Sequence, residues 1–88
     1  MNPVACRFAE NLLRSRKELD LSQEALGYRA GLHRTEIGLL ERGARVPRID
    51  TLIKLARSLE LAPEALLSGI VWNEGAVIGG RFSVGGDR

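Results

Sequence analysis

At 88 residues the chain has room for one domain and no second core. Its 44% hydrophobic and 27% charged content exclude wholesale disorder. No apolar run approaches the ~18–20 residues that cross a bilayer, and the opening Met1–Arg7 segment lacks the basic-then-apolar pattern of a signal peptide. One cysteine allows no internal disulfide and fits a reducing cytoplasm, and a single histidine leaves no metal-ligand cluster. The net charge of +2 is small but unevenly spread: Arg29 to Arg57 holds seven basic residues against three acidic ones. Eleven of the thirteen basic residues are arginine, whose planar fork suits phosphates and guanine edges.

Val4, Phe8, Leu12, Ser15 and Leu19 recur every three or four residues, which predicts an amphipathic first helix over about Val4–Glu18. Ser22 is an N-cap candidate for a short second helix, about Gln23–Ala30, with Leu26 and Ala30 inward. Gly31 suits the left-handed residue after that helix. A third helix follows over His33–Arg42 and stops at Gly43. So short a connection makes the two helices turn sharply, as in a helix-turn-helix.

Pro47 closes a basic loop, and a fourth helix is expected over about Asp50–Leu59, with Leu52, Leu55, Ala56 and Leu59 on one stripe. Pro63 and Glu64 open a predicted fifth short helix ending near Gly69. The chain thus divides into a helical domain over residues 1–69 and a glycine-rich tail over 70–88. In the tail Ile70 alternates with Trp72, and Phe82 with Val84, so it is a loose tail, a two-stranded flap, or strands exchanged with a partner.

On the third helix Ile37 and Leu40 form the buried stripe, with Thr35, Gly38, Leu39 and Arg42 outward and Arg34 and Glu36 on the shoulders. Mid-helix glycine costs roughly 1 kcal/mol, and Leu39 opposite the core stripe is unusual; both suit a face that meets a DNA groove. The run Ser22-Gln23-Glu24-Ala25-Leu26, Arg29-Ala30-Gly31-Leu32, Arg34-Thr35-Glu36-Ile37 and Leu40-Glu41-Arg42-Gly43 resembles the Cro/cI-type phage-repressor helix-turn-helix family. Pro47, Asp50–Ala56, Leu59 and Pro63–Leu67 resemble that family's fourth and fifth helices. Gly27 stands where the family usually has alanine, His33 replaces the usual serine or threonine cap, and Arg48 and Ala62 replace the commoner serine.

The resemblance, which does not cover the tail from Ile70, implies an all-α, five-helix domain acting as a bacterial, cytoplasmic transcriptional regulator, a repressor or autoregulator, on double-stranded DNA with a palindromic operator; the short glycine-rich tail is left as loose chain or β. It implies base contacts from Arg34, Thr35, Glu36 and Leu39, and phosphate contacts from Ser22, Gln23, Arg42, Arg45 and Arg48. Arg34 suits guanine O6/N7 and Leu39 a thymine methyl. Glu36 reads a base, pairs with an arginine, or repels wrong sites. Arg16 and Glu41 occupy places that form an ion pair behind the reading helix. His33 is a partial N-cap or a phosphate neighbour, and Cys6 a small packing residue.

One such helix reads too few base pairs for a unique site, so a homodimer is expected. Leu66, Leu67, Ile70, Val71 and Trp72 are the expected interface. No catalytic constellation, metal, cofactor or small-molecule ligand is expected. The alternative is a protein-interaction or coactivator module that keeps the fold without specific DNA binding.

Overall fold

The computed structural model describes residues 2–77 and 79–86. Four α-helices come first: α1 (Pro3–Glu18), α2 (Gln23–Ala30), α3 (Arg34–Glu41) and α4 (Ile49–Ser58). Each start has a local cause. Asn2 Oδ1 accepts from the Val4 and Ala5 backbone N–H groups ahead of α1, with Pro3 at its first position. Ser22 Oγ accepts from Ala25 N at 2.9 Å, and His33 Nδ1 from Thr35 N at 3.0 Å. Arg48, ahead of α4, makes no side-chain cap.

Gly31 ends α2 at φ 68°, in the left-handed region that glycine enters without a Cβ penalty. Gly27 lets α2 and the turn meet, since a Cβ there would stand 2.5 Å from the Leu32 carbonyl oxygen.

Phe8 and Leu12 of α1, Leu26 and Ala30 of α2, Ile37 and Leu40 of α3, and Leu52, Leu55 and Ala56 of α4 share one core with Leu59 and Leu66. Leu66 is fully buried in that core, which withdraws it from the expected subunit interface.

The predicted fifth helix is instead a single 3₁₀ stretch, Pro63–Leu67. Asn11, itself fully buried, supplies a reason. Its Nδ2 donates to the carbonyls of Leu66 and Ser68, both at 3.0 Å, at the end of the stretch where further helical bonds would form. The chain then turns at Gly69 into β1 (Ile70–Glu74), which pairs antiparallel with β2 (Gly80–Val84). The fold is therefore four helices and a two-stranded sheet, neither five-helix nor all-α. The hairpin lies against α1, where Arg7 Nη1 donates to Gly85 O at 3.3 Å. Gly85 N in turn donates to Gly69 O at 3.0 Å.

Replacing Asn11 with leucine keeps the volume but strands the buried Leu66 carbonyl and the part-buried Ser68 carbonyl. Asn11→Leu is expected to lower stability by about 2–3 kcal/mol, read as a fall in the urea midpoint at unchanged slope. An unchanged midpoint would show that the two bonds contribute nothing net.

Candidate nucleic-acid interface

Helix α3 sits in the crook of α1 and α2. Its inner side is apolar, through Ile37 and Leu40. Its C-terminal end is held by charge. Arg16 of α1 donates to Glu41 through both Nε and Nη2, the latter to Oε1 at 3.0 Å, while its Nη1 donates to Leu21 O at 2.7 Å. Gln23 Nε2 of α2 donates to the same Glu41 Oε1 at 3.0 Å. The Glu41 and Arg16 side chains are only 5% and 12% exposed, so this network is shielded from water.

The outer side is a set of exposed arginines with exposed or half-exposed carboxylate partners. Arg34 lies 3.6 Å from Glu24 Oε2, Arg45 3.1 Å from Glu36 Oε1, and Arg48 3.3 Å from Asp50 Oδ1. Thr35 and Arg42 are exposed and Leu39 is half-buried. Ser22 is exposed at the start of α2, with its hydroxyl committed to Ala25 N.

Two residues stand differently from the sequence expectation. Gly38 is buried, not bare: a Cβ there would meet Arg42 Nη1 at 3.3 Å and the Gln23 amide at 3.8–3.9 Å. Its smallness makes room for side chains that cross the helix. The Gln23 amide, expected on a phosphate, is bonded to Glu41, which leaves its backbone N–H at the helix start.

Residues 12–66 match the helix-turn-helix family HTH_3. That span takes in α2, α3 and the turn between them. The chain belongs to this family, of Cro/cI type. It is 45% identical over 60 residues to the control protein C.SmaI of Serratia marcescens, covering 68% of this chain and 71% of that one. Among solved structures it superposes on the restriction–modification controller C.AhdI of Aeromonas hydrophila with a TM-score of 0.69 and 35% identity, covering 70% of this chain and 94% of the controller. The P22 c2 repressor, solved in complex with a synthetic operator, gives a TM-score of 0.66 and 32% identity over 70% of this chain and 94% of the repressor.

A helix-turn-helix domain needs its third helix in a fixed pose, and two surfaces of this one lie outside that requirement. Leu67, Val71, Trp72, Phe82 and Val84 are all part-exposed around the hairpin, where the Trp72 and Phe82 rings meet edge to face at 5.0 Å. A second apolar stripe, missed in the sequence, runs from Val46 to Ile49 and Ile53, the isoleucines being 74% and 52% exposed. Their i, i+4 spacing extends the α4 core stripe onto the surface, a signal the sequence did carry. Among the described residues no group of three His, Cys, Asp or Glu could hold a metal, and no helix is long and apolar enough to cross a membrane.

The Glu41 network gives a sharp expectation. Either Arg16→Met or Glu41→Gln should cost about 3 kcal/mol by leaving a shielded partner unpaired. A double-mutant cycle should return a coupling above the ~1 kcal/mol ceiling of exposed pairs. Additive single effects would show that the two groups are solvated independently.

Proposed function

We propose that the chain is a DNA-binding transcriptional regulator of a bacterial cytoplasm, acting as a homodimer on a two-fold operator with α3 in the major groove. The observation that carries this reading is the contrast between the two sides of α3. Behind it lies a shielded network that fixes its pose; in front lie exposed arginines whose ion pairs are worth only ~0–1 kcal/mol each and exchange readily for phosphates. The control-protein and repressor relatives support it.

In this reading Arg34, Thr35, Glu36 and Leu39 meet base edges. Arg42, Arg45 and Arg48 take phosphates, together with Ser22 and the backbone N–H of Gln23 at the start of α2. Arg45 holds Glu36 at 3.1 Å in the free protein. A phosphate that captures Arg45 therefore releases Glu36, whose carboxylate is then an acceptor for cytosine N4.

Two-fold binding needs a contact that brings two α3 helices onto one face of the duplex about one helical turn apart. The Val46–Ile49–Ile53 stripe is the better placed, because it begins within the basic loop that carries Arg45 and Arg48 and continues along α4. Leu67, Ile70, Val71 and Trp72 provide the second reading, favoured by the part-exposed Trp72.

Three measurements test this. Affinity for duplexes selected from random DNA should fall with salt at a log–log slope of several units, each neutralised phosphate contributing roughly −0.9; a slope near zero favours the protein-interaction module. Among selected sites, Glu36→Ala should relax preference at one position per half-site by about 1–3 kcal/mol, whereas a uniform change would make Glu36 a general electrostatic brake. In sedimentation, Ile53→Asp should yield monomers while Trp72→Ser stays dimeric; the reverse pattern moves the interface to the hairpin.

A further inference from the structure

His33 is the chain's single histidine, and it stands exposed at the start of α3, one residue before Arg34. Its Nδ1 accepts the Thr35 backbone N–H at 3.0 Å. Neutral imidazole has one ring proton, so a ring whose Nδ1 accepts must carry its proton on Nε2. The cap bond therefore does two things. It satisfies an orphan N–H at the helix start, and it fixes the tautomer so that Nε2–H is a donor. Among the described residues that donor meets no acceptor within the chain. The ring borders a shallow depression shared with Glu24, Tyr28, Leu32 and Arg34. Serine or asparagine would cap as well or better. What imidazole adds is the second, uncommitted polar atom at the leading end of the reading helix.

We propose that His33 is a further specificity-determining residue, whose capped imidazole presents Nε2–H to a purine acceptor in the major groove beside the Arg34 contact. The acceptor is N7 of adenine or guanine, the acceptor that both purines expose there. The proposal rests on α3 entering that groove. The tautomer is set before DNA arrives, so the donor is ready without reorganisation. A neutral donor also tells purine N7 from a cytosine edge, which offers an amino donor and would leave Nε2–H unpaired.

The test uses duplexes selected by the wild-type protein, with each purine replaced in turn by its 7-deaza analogue, which lacks the N7 acceptor. Wild type should lose about three- to tenfold in affinity at one purine per half-site, the effect of one hydrogen bond. His33→Ser, which retains a capping oxygen, should lose nothing there and melt within a few degrees of wild type. A penalty at the Arg34 guanine should persist in both proteins and serves as the internal standard. Equal penalties in both proteins at every purine would overturn the proposal. So would imidazole ¹⁵N shifts showing the proton on Nδ1 in the wild-type protein. Should the wild type select no sequence at all, the reading of α3 itself fails, an outcome distinct from either of these.

Discussion

The carboxylate of Glu41 is the point on which the geometry of this domain turns. It lies at the last residue of α3 and receives donors from α1 through Arg16 and from α2 through Gln23. A shielded ion pair of this kind is a weak source of net stability, because desolvating both groups offsets much of their attraction. What it supplies is direction. Ile37 and Leu40 fasten α3 to the core through apolar contact, which is non-directional; the bidentate Arg16 contact adds a directional one. Arg16 also holds the Leu21 carbonyl, so the turn leading into α2 is tied to the same point. A helix held to one pose needs this second kind of restraint.

The charges divide accordingly. Arg16 is committed inward to a shielded partner, while Arg34, Arg45 and Arg48 on the outer face hold exposed or half-exposed carboxylates at 3.1–3.6 Å. The inward pair is costly to break, while the outward ones are nearly neutral in free energy and screened by salt. The outer carboxylates keep the net charge low while holding their arginines only loosely. A net charge of only +2 is thus compatible with a strongly basic contact surface. The decisive quantity is which arginines are loosely held, and the total does not show that.

The local devices of the fold were legible in the sequence because they act over a few residues. Ser22, Gly31 and Pro63 announce starts and stops through their own backbone chemistry, and the α2 bounds coincide with the expected Gln23–Ala30. The Arg16–Glu41 contact spans 25 positions and leaves no periodic trace; only the family resemblance pointed to it. Asn11 carried no signal at all. On a helical wheel it is one polar residue among several, yet its amide bonds carbonyls 55 and 57 residues away, at the end of the expected fifth helix. Gly38 was misplaced for a related reason. A wheel projects a single helix, and the side chains of Gln23 and Arg42 that cover it come from another helix and from the cap beyond its end.

The hairpin depends on the same polar tethers. A two-stranded ribbon is marginal on its own in water, and this one buries little: both strands are mostly exposed, and its aromatic pair is half in solvent. Its order must come from its root. There Gly85 bonds Gly69, Arg7 reaches Gly85, and Asn11 grips the residues just before the first strand. The Arg7 and Asn11 tethers both come from α1, the helix that also supplies Arg16. Helix α1 therefore orients α3 through Arg16 and anchors the hairpin root through Arg7 and Asn11.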